Sequence, residues 1–86
     1  MPRPFARIGD IGDHGGEITT GSDVHEWDDI PAARVGDIYE CALHGPNPLA
    51  TGSDVVEIDG RKAVRVGDFA TCGARIITGS PVNEEV

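Results

Sequence analysis

The chain states one motif three times. Arg7-Ile8-Gly9-Asp10, Arg34-Val35-Gly36-Asp37 and Arg65-Val66-Gly67-Asp68 are copies of one tetrapeptide. Four residues past each Asp stands a side chain able to bind metal: His14, Cys41 and Cys72. Each block then runs into a second motif, Gly21-Ser22-Asp23-Val24, Gly52-Ser53-Asp54-Val55 and Gly79-Ser80-Pro81-Val82. Repeated short units cannot bury their apolar faces alone and must stack on one another. With one candidate ligand at a fixed place in each copy, stacking about an axis brings three ligands together. The spacing from Gly21 to Gly36 equals that from Gly52 to Gly67. The extra residues of copy two therefore fall between Asp37 and Gly52, around His44-Gly45-Pro46-Asn47. Counted this way the chain carries two and a half copies.

Length and charge narrow the function. Eighty-six residues make a single domain, 1–86, with no appended effector domain expected. So short a chain buries a modest core and often leans on a metal, a disulfide or a partner. Aromatics are 5% of the residues, which rules out a large aromatic core. The 12 glycines and 6 prolines recur in register with the repeats, which disorder does not require. A net charge of −8 argues against a nucleic-acid partner, because a phosphate backbone repels it. No signal peptide and no membrane-spanning run is legible, so a cytoplasmic origin is expected. In that compartment cysteine beside histidine points to metal or chemistry more often than to a disulfide.

The local pattern is all-β. Asp59-Gly60 lies between the apolar-rich runs Val55–Ile58 and Arg61–Val66, a strong hairpin signal because both loop residues need positive φ. Glu57 and Lys62 then face each other across the strands, a weakly favourable pairing. Copy one carries Asp28-Asp29 at the same place, a poorer turn, and Trp27 where copy two has Ile58. Each Gly-Ser reads as a turn opening a hairpin. In Arg-(Ile/Val)-Gly-Asp the glycine supplies a backbone angle closed to other residues. The Asp accepts backbone N–H groups, and the Arg pairs with an acid.

Copy two reads Cys41-Ala42-Leu43-His44, a Cys-x-x-His pair inside the inserted loop. With His14 and Cys72 it makes two thiolates and two imidazoles, a set suited to one tetrahedral structural Zn2+. Three equivalent positions provide three ligands and the insertion provides the fourth. The same residues are open to blander readings: Cys41 and Cys72 as a disulfide or as core thiols, His14 as a solvated loop residue. His25 falls in a hairpin away from these loops and is not expected to ligate. A site closed by four protein ligands leaves no position for water, unlike catalytic zinc. No His-Glu-x-x-His helix, nucleophile elbow or phosphate loop is present, so an enzyme is not expected.

Pro31-Ala32-Ala33-Arg34 precedes Val35-Gly36-Asp37, and the degenerate Lys62-Ala63-Val64-Arg65 precedes Val66-Gly67-Asp68. Together with His14-Gly15-Gly16, the Cys41…His44-Gly45 loop, Cys72-Gly73 and the Gly-Ser turns, the chain resembles PAAR-repeat proteins from about Arg7 to Val82. The resemblance implies a small cone of short β-hairpins with pseudo-threefold symmetry, pinned by zinc near its vertex. It implies a structural spike tip that caps a trimeric VgrG-like or phage-type β-helical spike in a type VI secretion or phage-tail-like injection machine. Such a tip waits in the cytoplasm, leaves the cell when the machine fires, and touches a membrane transiently as it pierces it. Apolar strand ends are expected to form the docking base, with the metal loops pointing away. Described relatives bind zinc through three histidines and one cysteine, whereas Cys41 and Cys72 would make this site two and two. The alternatives are an adaptor that docks effector proteins onto the spike and, further off, a small zinc hydrolase.

Overall fold

The fold closes on itself through a ring of three hydrogen bonds. The Ala6 N–H donates to the Val64 carbonyl (2.8 Å), the Val64 N–H to Ala33 (3.1 Å), and the Ala33 N–H back to Ala6 (3.0 Å). All three residues are fully buried. They occupy the third position of Pro4-Phe5-Ala6-Arg7, Pro31-Ala32-Ala33-Arg34 and Lys62-Ala63-Val64-Arg65. Around them run three equivalent antiparallel bridges, Phe5 with Arg65, Arg7 with Ala32 and Arg34 with Ala63. A donor-to-acceptor cycle of this kind requires a pseudo-threefold axis. Small side chains sit on it because three backbones must converge there.

The computed structural model describes residues 2–85, which form an all-β globule of 30 × 28 × 22 Å with no helix among them. The strands are β1 (Arg3–Pro4), β2 (Gly16–Ile18), β3 (Glu26–Trp27), β4 (Ile30–Pro31), β5 (Ile38–Cys41), β6 (Gly45–Pro48), β7 (Glu57–Ile58), β8 (Arg61–Lys62) and β9 (Glu84–Glu85). β2, β5 and β6 make a three-stranded antiparallel sheet. β3–β4 and β7–β8 are hairpins, and β1 pairs with β9.

The β1–β9 pair corrects the count of two and a half copies. Its register, Arg3 with Glu85 and Pro4 with Glu84, matches Ile58 with Arg61 and Glu57 with Lys62 in β7–β8. The third hairpin is thus split between the two ends of the described chain, and the third copy is complete. Arg3 and Arg61 confirm the equivalence, since each Nε donates to a backbone carbonyl, Val66 and Val35 respectively, at 2.9 Å.

The turn chemistry is as the sequence predicts, and repeated. Gly9, Gly36 and Gly67 have φ of 91°, 94° and 93°. Beside each, the Asp of the motif accepts its own Arg: backbone N–H and Nε at 2.7 and 3.1 Å on Asp10, 2.8 and 2.9 Å on Asp37, 2.8 and 3.0 Å on Asp68. Each buried Asp also takes a hydroxyl from a neighbouring copy: Thr78 to Asp10, Thr20 to Asp37 and Thr51 to Asp68, at 2.8–2.9 Å. Each Arg reaches outward to a second acid, Asp28, Asp59 or Glu85, which in turn accepts from Ser80, Ser22 or Ser53. Glu85, with its longer side chain, does in the split hairpin what Asp28 and Asp59 do in the continuous ones. Buried charges are tolerated only when paired and hydrogen-bonded, and here every Asp on the ring has both.

Two local expectations are refined. Asp28 and Asp29 both adopt positive φ (58° and 64°), as Asp59 and Gly60 do (57° and 77°), so copy one makes the same turn with a less suitable pair. Glu57 does lie opposite Lys62, but the lysine ammonium turns to Asp54 at 3.0 Å. Packing divides in two. Ala6, Ala33 and Val64 join Ile18, Tyr39, Cys41, Leu49, Ala70, Ala74 and Ile76 in the larger cluster, against which Cys72 packs. Phe5, Ala32, Ile58 and Ala63 form the smaller one, with Trp27 and Val56 against them. Trp27 stacks on Phe5 with ring centroids 4.5 Å apart.

Candidate metal centre

His14, Cys41, His44 and Cys72 meet, and one ligand atom from each lies within 4.8 Å of every other. The Cys41 Sγ is 3.3 Å from His44 Nδ1 and 3.9 Å from His14 Nδ1, and the Cys72 Sγ is 4.0 Å from His14 Nδ1. A tetrahedral ion with bonds of about 2.3 Å to sulfur and 2.0–2.1 Å to nitrogen places ligand atoms roughly 3.4–3.8 Å apart. The cluster therefore needs only small adjustments to close on a metal. Both cysteines are free, so the disulfide reading does not describe this structure. His25 stands elsewhere, with Nε2 3.4 Å from Asp59.

Each ligand is held by a specific local device. Cys41 ends β5 and pairs with Gly45, which opens β6, so Ala42–His44 form the hairpin turn that brings His44 back onto the Cys41 thiol. Gly45 carries the positive φ (76°) that this return needs. Burial pushes the Cys41 thiol up, but hydrogen bonds from the Leu43 backbone N–H and from His44 outweigh it. The thiol is held below its ordinary range, which favours the thiolate a metal requires. His14 precedes Gly15, whose carbonyl accepts the hydroxyl of fully buried Tyr39. The Asn47 Oδ1 accepts the Cys72 backbone N–H (3.1 Å) and the Thr71 hydroxyl (3.0 Å), while its Nδ2 donates to Gly45 at 3.0 Å. Asn47 thus ties the Cys72 loop to the turn carrying His44. Sequence reading missed Tyr39 and Asn47 as supports. The only available signal was their placement in the copy-two segment that carries the inserted ligand.

Gly16 fixes how closely the His14 loop approaches Cys41. Its φ is +89°, its partner across the sheet is Cys41, and a Cβ there would sit inside the Glu40 backbone carbonyl. Gly16→Ala is expected to cost about 2–3 kcal/mol through backbone strain and lost β2–β5 pairing. Gly60→Ala, with φ +77° but open space around the new Cβ, should cost only about 1 kcal/mol. Urea unfolding of the two variants side by side checks this. Equal costs would show that close approach at Gly16 contributes nothing.

The donors can hold a metal ion, and all four come from protein. Three of them, His14, Cys41 and Cys72, occupy the same position in the three copies, and His44 comes from the segment that copy two alone contains. No curated protein matches the chain. The family model described as the PAAR motif matches residues 4–78, covering the Arg-x-Gly-Asp turns, the ring and all four donors; the chain belongs to the PAAR-motif family.

Proposed function

We propose that this chain is the tip of the trimeric β-helical spike of a contractile injection machine, and that one structural zinc ion closes its metal centre. The family is a structural, spike-tip-associated one. The observation that carries the capping role is the hydrogen-bonded cycle Ala6–Val64–Ala33. A single chain with three near-equivalent sides can sit on a true threefold axis and make three similar contacts. Capping would also cover the strand edges at the end of a β-helix, which left open invite aggregation.

The donor set favours zinc. Two thiolates and two imidazoles in a compact group suit a d10 ion without geometric preference of its own. When bound, zinc would supply cross-linking and no chemistry, since all four positions are filled by side chains. The tip would reside in the cytoplasm as part of a single PAAR domain, leave the cell when the sheath contracts, and meet a membrane only in passing. A rigid point concentrates the force of contraction, and the metal together with the buried Arg–Asp pairs would resist deformation of the tip.

Binding stoichiometry tests the reading. Mixed with a purified VgrG-type trimeric spike, the chain is expected to form a complex of one tip to three spike subunits by light scattering. Metal analysis should return one zinc per tip. Three tips per trimer, or no complex, would overturn the capping role.

A further inference from the structure

Beyond the ring and the metal centre, the three copies keep one more feature that the fold does not use. Val24-His25-Glu26, Val55-Val56-Glu57 and Val82-Asn83-Glu84 occupy equivalent places and share Val-x-Glu. The valines are 74%, 81% and 75% exposed, and the three glutamates are exposed as well. None of these glutamates makes an ion pair among the described residues. Residues around them diverge between copies: Asp23, Asp54 and Pro81 before the valine, His25, Val56 and Asn83 after it. The turn itself needs only the serine, whose Oγ accepts the valine N–H at 3.1, 3.1 and 3.2 Å in the three copies. A β-branched apolar residue is a poor choice for an exposed turn. Its presence three times, rigidly presented and unburied, calls for a partner.

We infer that these three Val/Glu pairs are the docking triad for a homotrimer, each of whose subunits offers one apolar pocket beside one lysine or arginine. Three identical knobs spaced about a pseudo-threefold axis fit a partner whose own axis is threefold. The unpaired carboxylates set the sign of the charge they should meet. The copy-two loop also packs away from the metal cluster. Val56, next to Val55, packs on the Phe5–Ala32–Ala63 cluster, whereas the metal ligands Cys41 and Cys72 belong with the other cluster. This inference rests on the spike-tip reading and adds to it the residues and the chemistry of contact.

Affinity for a purified VgrG-type trimeric spike, measured by calorimetry on the full zinc-loaded chain, tests it. Each single Val→Ser change (Val24, Val55, Val82) is expected to weaken binding about tenfold, by a similar factor at each site, and the triple variant at least a hundredfold. Changing Glu26, Glu57 and Glu84 together to Lys should abolish binding, and changing them to Gln should remove most of its salt dependence. The valine and glutamine variants should keep the parent's thermal midpoint; the lysine variant, with Glu57→Lys opposite Lys62, should melt slightly lower and still fold. A parent that binds while the triple valine variant binds equally well overturns the triad and leaves the spike-tip reading standing. A parent that binds no trimer overturns both. A parent that self-associates through these valines, with the triple variant monomeric, assigns the face to a second copy of this chain and overturns the inference.

Discussion

Cys72→Ser is expected to lose the metal and most of the cooperative unfolding transition. Structural zinc supplies on the order of 10–16 kcal/mol of apparent folding free energy in small zinc-binding peptides. That matches or exceeds the whole net stability of an ordinary domain, about 5–15 kcal/mol. Here the ion would join all three copies at the end where Cys41 is buried and Cys72 and His14 are half-buried. His44→Ala should be milder, because it removes the exposed donor and leaves one equivalent ligand from each copy. Treatment of the parent with a chelator should reproduce the Cys72→Ser behaviour, and added zinc should rescue the parent alone. Differential scanning calorimetry with metal analysis on the same samples measures this. A metal-free parent melting at the temperature of the loaded one would remove the metal from the account of stability. Cobalt substitution gives an independent readout, since two thiolates around tetrahedral cobalt add sulfur-to-cobalt charge-transfer bands in the near ultraviolet that a histidine-only site lacks.

What could be read in the sequence was what the repeat made redundant. Three Arg-x-Gly-Asp turns fixed three glycines with positive φ and three carboxylates accepting their own arginines, and the structure has all of them. His14, Cys41 and Cys72 were legible as a cluster because they share a repeat position, and His44 because only copy two has residues to spare there. The split hairpin was harder. Pro4-Phe5-Ala6-Arg7 is a copy of Pro31-Ala32-Ala33-Arg34, but Phe5 in place of alanine hides it and its strand partner lies at the other end of the chain. Pairing between distant segments leaves no local signal. Tyr39 and Asn47 were illegible for a related reason. Each acts once, between two loops that only the closed ring brings together, so no repeat and no periodicity marks them.

Asp37→Asn is expected to cost about 3–5 kcal/mol at neutral pH, the range for removing one partner of a buried ion pair. The Asp37 side chain is 4% exposed. Its carboxylate accepts the Arg34 backbone N–H, the Arg34 guanidinium and the Thr20 hydroxyl. An amide would turn N–H donors toward that ring of donors and leave the Arg34 charge with Asp59 alone, at the more exposed end of the guanidinium. The same geometry sets the pH dependence. Burial pushes the Asp37 carboxyl up, but hydrogen bonds from Arg34 and Thr20 outweigh it and hold it below the usual carboxylate range; Asp68, with Arg65 and Thr51, is held down in the same way. A carboxylate depressed in the folded state gives its full stabilisation above the unfolded pKa of about 3.9 and loses it as pH falls through the folded value. The cost of Asp37→Asn should therefore be constant from pH 7 to about 5 and shrink only below about pH 4, where the unfolded parent takes up the proton first and the folded parent follows at lower pH. Because both proteins carry the same His14–Cys41–His44–Cys72 cluster, any proton uptake there cancels in the difference. Urea unfolding of the pair across that range measures it. A difference of less than about 1 kcal/mol at pH 7 would place Asp37 with exposed surface pairs, and the threefold ring would then owe its rigidity to backbone hydrogen bonds and the metal alone.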